Sequence, residues 1–137
     1  MDELRGSALV SRVAIIGSRD ATPALLAKCR EYVTQLTPGT VIVTGAWWGR
    51  YVDGRPEMYA TRGVDACAAM AGDDHALNVV LVAGTRRAGK MAGYQRNSTI
   101  LDIADRVVAF WDGTSRGTKQ GIDYCRLHDK ELLIIRE

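Results

Sequence analysis

Val107-Val108-Ala109-Phe110-Trp111-Asp112-Gly113-Thr114-Ser115-Arg116-Gly117-Thr118 is the stretch that decides the fold. A continuous apolar run gives way at once to a loop with two glycines, three hydroxyls and a basic side chain, and then to a helix. An uninterrupted apolar run suits a strand covered on both faces. Glycine lets backbone N–H groups approach a phosphate, and a helix N-terminus adds partial positive charge. The Thr118 hydroxyl and the N–H groups of the first helical turn are natural phosphate donors. The segment is not a P-loop, because the spacing and the Gly-Lys-Ser/Thr ending are absent.

Four further apolar runs, at residues 13–16, 40–43, 79–82 and 132–135, alternate with helical stretches. Helices are expected over about 22–36, 63–71, 94–104 and 117–128. After the runs come Gly17-Ser18-Arg19, Gly45-Ala46 leading on to Arg62-Gly63-Val64-Asp65, and Arg86-Arg87-Ala88-Gly89-Lys90. The expected architecture is an α/β doubly wound, five-stranded, mostly parallel sheet with helices on both faces and strand order 3-2-1-4-5. In that order the topological switch lies between the first and fourth strands. The loops meeting there are Gly17-Ser18-Arg19 and the glycine-rich loop quoted above.

The 137 residues read as one domain, with residues 1–11 as a tail and 46–61 as an inserted loop. Hydrophobic residues make up 47% and charged residues 25%, which argues against disorder. No apolar run approaches the roughly 18 residues of a membrane span, and no signal-peptide core is present. A cytoplasmic protein with no membrane partner is expected. Cys29, Cys67 and Cys125 are odd in number and far apart, so reduced thiols are expected rather than a disulfide framework or zinc site. His75 and His128 lie far from the glycine-rich segments, and neither a metal nor a cofactor is expected.

The net charge of +2 says little, but its distribution is uneven. Ten basic residues fall after strands or in first helical turns: Arg19, Arg50, Arg55, Arg62, Arg86, Arg87, Lys90, Arg96, Arg116 and Lys119. Five acids accompany them: Asp20, Asp53, Glu57, Asp65 and Asp112. A rim of about +5 attracts anions.

Arg96 and Asn97 are the most informative single side chains. Helical spacing sets Arg96 in line with Ile100 and Ile103, and Asn97 in line with Leu101 and Ala104. Both therefore occupy a buried stripe at the end of their helix nearest the rim. A buried charge needs a partner, here a ligand phosphate or Asp65. For Asp65 three roles stay open: capping its helix, orienting Arg96, or hydrogen-bonding a ribose. Trp47, Trp48, Tyr51 and Tyr59 give the insert a composition suited to stacking on a base, or alternatively to an oligomer contact.

These residues together resemble the SLOG superfamily, which groups SMF/DprA-type DNA-processing proteins with the LOG nucleotide hydrolases, and above all its small stand-alone bacterial and phage members. The resemblance rests on Ile16-Gly17-Ser18-Arg19, Thr44-Gly45-Ala46, Arg62-Gly63-Val64-Asp65 with Ala68, Gly89-Lys90-Met91-Ala92-Gly93, Arg96-Asn97, Ala104-Asp105, and the run from Ala109 to Thr118. It implies a Rossmann-like fold that binds a nucleotide or nucleotide-derived signalling molecule, for sensing or sequestration, in defence or counter-defence. The expected ligand-binding set is Gly17, Ser18, Arg19, Gly45, Ala46, Trp47, Arg62, Gly63, Asp65, Lys90, Arg96, Asn97, Gly113, Thr114, Ser115, Gly117 and Thr118. Self-association as a dimer or larger is also implied, through a helix face bearing Tyr94, Ile100 and Ile103.

Two rivals remain. One is a LOG-like nucleoside-monophosphate N-glycosidase, a phosphoribohydrolase. In that branch a catalytic glutamate closely follows the glycine-threonine motif, whereas Lys119-Gln120-Gly121 follow here and the next acid is Asp123. A carboxylate at the wrong helical offset faces away from the bond to be cleaved, so no catalytic residue is expected. The other rival is DprA-like binding of single-stranded DNA, a nucleic-acid partner that the modest net charge does not favour.

Overall fold

The computed structural model describes residues 10–85, 89 and 91–137. Arg86, Arg87, Ala88 and Lys90 of the expected rim, and residues 1–9 of the expected tail, lie outside the described residues. The chain runs β1 (Arg12–Gly17), α1 (Pro23–Thr34), β2 (Val41–Val52), β3 (Arg55–Ala60), α2 (Val64–Asp74), β4 (Asn78–Ala83), α3 (Ala92–Ile103), β5 (Arg106–Phe110), α4 (Arg116–Leu127) and β6 (Leu132–Ile135).

The parallel strands are ordered β4-β2-β1-β5-β6, which is the order expected from the sequence for its five apolar runs. Period-two alternation splits β1 and β5 between two cores. Val13, Ile15, Val108 and Phe110 pack with Leu25, Cys29 and Val33 of α1 and with Val64 and Ala68 of α2. Ala14, Ile16, Val107 and Ala109 turn the other way, onto Ile100 and Leu101 of α3 and Ile122 and Cys125 of α4. This two-sided burial is why the strands read as unbroken apolar runs. Among the described residues no helix is long and apolar enough to cross a membrane.

α1 begins where its sequence signal predicts. The Thr22 hydroxyl accepts from the Leu25 N–H at 3.2 Å, and Pro23 takes the first turn, where no N–H is needed. On α3, Ile100 is sealed in the core while Tyr94 is half exposed. The face expected to meet a second copy is thus partly spent on the chain's own sheet.

The described residues form six strands rather than five, and the extra one comes from the insert. Residues 46–61, read from sequence as a loop, form a β-hairpin made of the far half of β2 and all of β3. Asp53 and Gly54 make its two-residue turn with φ of 52° and 75°, the left-handed pair that a type I′ turn demands. Ala46 pairs with Ala83 of β4 on one side and Ala60 of β3 on the other. β3 therefore takes the edge of β2 that β1 occupies lower down, and the hairpin rises above the carboxyl end of β1. Trp47 stands opposite Tyr59 on it, and Trp48 opposite Met58.

Candidate functional site

β1 and β5 lie side by side, but their chains leave for opposite faces of the sheet, to α1 and α4. The crevice this opens is the ligand position of open α/β folds. Here it is a cleft of about 450 Å³, lined among others by Gly17, Arg19, Thr61, Asp65, Arg96, Asn97, Thr114, Ser115, Gly117 and Thr118.

One residue ties its walls together. Ser18 is fully buried. Its N–H donates to the Phe110 carbonyl (3.2 Å), its carbonyl accepts from Val64 N–H (3.1 Å), and its hydroxyl accepts from Asp112 N–H (3.1 Å). Ser18 thus joins the ends of β1 and β5 to the start of α2 and does not line the cleft. Behind it Gly63 turns the chain into α2 with φ of 86°.

On the α4 side, the Asp112 carboxylate accepts from the N–H groups of Ser115 and Thr114, both at 2.8 Å, which fixes the loop. Those bonds, Ser115 first, hold Asp112 below its ordinary carboxylate value. No acid lies in the first turn of α4, and its N-cap residue Ser115 makes no side-chain cap bond. The first N–H groups of α4 are therefore left without an intrahelical or side-chain acceptor, and Ser115, Gly117 and Thr118 at this end line the cleft. Thr118 is buried there, with its hydroxyl 3.2 Å from that of Ser115. A side chain at Gly117 would meet nothing within 4 Å, so the backbone is open to a ligand.

α3 supplies the opposite wall. Arg96 donates through Nη1 to the Thr61 hydroxyl (3.0 Å) and the Ala46 carbonyl (3.5 Å). Its Nε and Nη2 donate to Asn97 Oδ1, while Asn97 Nδ2 donates to Gln120 Oε1 at 2.9 Å and so bridges α3 to α4. Burial lowers the Arg96 pKa, and the nearby Asp65 pulls it back up.

Asp65 is the unusual group. It is 6% exposed, and its Oδ1 has no hydrogen-bond partner. Burial pushes its pKa from 3.8 up to about 7, against the opposing pull of Arg96, the Thr44 hydroxyl, Arg19 and the Gly45 backbone. A Cβ on Gly45 would stand 2.5 Å from Asp65 Oδ2 and 3.2 Å from Arg96 Cζ. Gly45 is needed to let both side chains under the middle of β2.

Of the residues expected at the site, Gly17, Arg19, Asp65, Arg96, Asn97, Thr114, Ser115, Gly117 and Thr118 line the cleft. Ser18, Gly45 and Gly63 shape it from behind, and Lys90 lies outside the described residues. Arg62 is turned outward into an exposed pair with Asp20 at 3.2 Å. Gly113 faces the Arg136 side chain, and Ala46 contributes its carbonyl to Arg96. Trp47 belongs to the hairpin above the cleft. Thr61, Asp20 and Asp112 also line the cleft. Thr61 directly precedes the Arg-Gly-Val-Asp motif, and that adjacency is its one sequence signal.

The cleft carries two arginines against three aspartates, so its pull on anions does not come from net charge. Asp20 is engaged by Arg62 and Asp112 by amides, leaving Arg19, Arg96 and the α4 N-terminus to face a ligand. Asp123, the first acid after Gly117-Thr118, is exposed and pairs with Lys119 at 2.8 Å, away from the cleft. Among the described residues no cluster of His, Cys, Asp and Glu could hold a metal.

No protein-family model matches the sequence, and no curated protein matches it. Among the solved structures that match the fold are two of DNA processing protein A. DNA processing protein A (DprA) from Streptococcus pneumoniae superposes with a TM-score of 0.67 at 15% identity, over 91% of this chain and 50% of that one. DNA processing protein A from Helicobacter pylori, described for its single-stranded DNA binding mode, gives 0.58 at 19% identity, over 90% of this chain and 64% of that one. The chain spans between half and two thirds of the length of these proteins. It has the Rossmann-like α/β fold of DNA processing protein A, in keeping with the SLOG resemblance of its motifs.

Proposed function

We propose that the cleft between β1 and β5 binds the phosphate of a nucleotide or nucleotide-derived molecule, and that the protein holds this ligand without cleaving it. The observation that carries the reading is the uncapped N-terminus of α4, opening with Gly117 and Thr118 into a cleft that also receives Arg19 and Arg96. Amide donors aimed at one point, with partial positive charge behind them, suit a phosphate better than any neutral ligand. The absence of a carboxylate at the offset that Asp123 would have to fill favours binding over hydrolysis. Sensing or sequestration follows from binding without turnover.

The Arg19→Ala, Thr118→Ala double variant is expected to fold and to weaken nucleoside-monophosphate binding by several kcal/mol in sum, at roughly 1.5–3 for the charged hydrogen bond and less for the neutral one. Calorimetry measures it, and unchanged affinity in the folded variant rules the cleft out. Gly117→Ala is a sharper companion. It removes a helical glycine in open space, so stability should hold or rise by up to about 1 kcal/mol. Its methyl group would nevertheless stand where the phosphate must approach.

Single-stranded DNA binding is the second reading. It is favoured by the likeness in fold to the Helicobacter pylori protein, which binds single-stranded DNA, and by the aromatic hairpin, on which Trp47 is 62% exposed. The two readings separate by salt. A single bound phosphate leaves affinity weakly salt-dependent, while a strand crossing the rim gives a steep slope through counterion release.

The hairpin bears on both. Replacing residues 47–59 by an Asn-Gly turn should spare folding, because Ala46 and Ala60 are already cross-strand partners and type I′ turns close such pairs. Under either reading the loss of stacking should lower affinity at least tenfold, about 1.4 kcal/mol. Intact affinity for both mononucleotides and oligonucleotides would remove the hairpin from ligand binding.

A further inference from the structure

Asp65 lines the cleft, and its Oδ1 is a buried acceptor with no donor. Leaving such an atom unmatched is costly, and structures seldom tolerate it without a role. While Asp65 is ionised, a fully ionised phosphate cannot supply the missing bond, because its oxygens are acceptors too. The ligand must instead present a hydrogen-bond donor at this point.

Position selects which donor. The phosphate-facing amides lie on the β5 side of the switch, at the start of α4. Asp65 lies under Gly45 in the middle of β2, with β1 between. Adjacent strands are about 4.8 Å apart, so Asp65 stands one to two strand spacings from the phosphate position. The next unit along a nucleotide is its sugar, and the base lies beyond, where the β2–β3 hairpin rises. We infer that Asp65 is the sugar-recognition residue of the cleft, accepting a hydrogen bond from a ribose hydroxyl and making the ligand a ribonucleotide rather than a deoxynucleotide or free phosphate. This assignment rests on the phosphate reading given above. It also explains why Thr61 and Ala46, rather than Asp65, anchor the Arg96 guanidinium: the carboxylate oxygen stays available.

The test is a cycle between protein and ligand. The four common ribonucleoside 5′-monophosphates are titrated calorimetrically, and the tightest is compared with its 2′-deoxy and 3′-deoxy forms on wild type and on Asp65→Ala. Removing one of the two hydroxyls should cost wild type tenfold or more and cost Asp65→Ala less than twofold, since interacting partners are non-additive. Asp65→Leu, which keeps the branched shape but carries no acceptor, serves as the second variant if Asp65→Ala does not fold. Wild type tolerating both deoxy forms within twofold, or a folded Asp65 variant retaining the full penalty, overturns the sugar assignment while leaving phosphate binding standing. Failure of all four monophosphates to bind wild type overturns the phosphate reading and the sugar assignment together.

Discussion

Asp65→Asn is expected to raise the free energy of unfolding by about 4 kcal/mol at pH 8 and by almost nothing at pH 4. The cause is the burial that moves the Asp65 pKa from 3.8 to about 7. Between those two values the folded protein holds a proton that the unfolded chain has already lost. Folding therefore takes up a proton there, and raising the pH through that window destabilises the native state. Above about pH 7 the full cost of the buried charge is present, and below 3.8 it has vanished. Asparagine stays neutral throughout, so the variant's stability should be flat where the parent's declines. Urea unfolding at pH 4, 6 and 8 measures the difference. A variant less stable than wild type at pH 8 would mean that Asp65 is a fully satisfied partner of Arg96, and the unmatched Oδ1 would lose its significance. Asparagine keeps an acceptor oxygen at position 65, so sugar discrimination should fall less in this variant than in Asp65→Ala.

Much of the scaffold was legible because its signals are local. The apolar runs ending at Ile16 and Phe110 needed only the pleat to place them at the centre of a covered sheet, and short connections then dictated strand order. Arg96 and Asn97 were legible for a similar reason. A charged and an amide side chain in line with Ile100 and Leu101 had to lie at the buried end of a helix, and that end borders the cleft. The hairpin was missed although its turn was written in the sequence. Asp53-Gly54, with Tyr51 before it and Tyr59 after it, is a type I′ signal that a reading of 46–61 as one long loop passes over. What no local pattern reveals is which polar groups the fold uses up. The Ser18 hydroxyl resembles a phosphate donor until the fold buries it completely behind the cleft, where it accepts from the N–H of Asp112, 94 residues away in the chain. Asp65 becomes unusual only when Gly45 admits it and Arg96 together under the middle of β2.

Gly63→Ala should cost roughly 3–5 kcal/mol, combining left-handed backbone strain with overpacking. Gly63 has φ of 86° and ψ of −132°, a combination open to glycine and strained for every residue with a Cβ. The added carbon would also stand 2.4 Å from the Ser18 carbonyl oxygen and 2.5 Å from that of Arg19. Both are backbone atoms, so no side-chain rotation relieves the contact. Relief requires the start of α2 to move away from the β1 loop. That movement breaks the 3.1 Å bond from Val64 N–H to the Ser18 carbonyl. It displaces Arg19 on one side and Asp65 on the other, the groups assigned to phosphate and to sugar. Gly63→Ala should therefore lose ligand affinity even at temperatures where it remains folded. Gly39→Ala is the control, because Gly39 also has positive φ, at 90°, but faces open space and is not among the residues that line the cleft. It should show backbone strain alone, with affinity intact. Equal destabilisation of the two variants, with binding unchanged in both, would show that the Gly63 contact relaxes without moving the cleft walls.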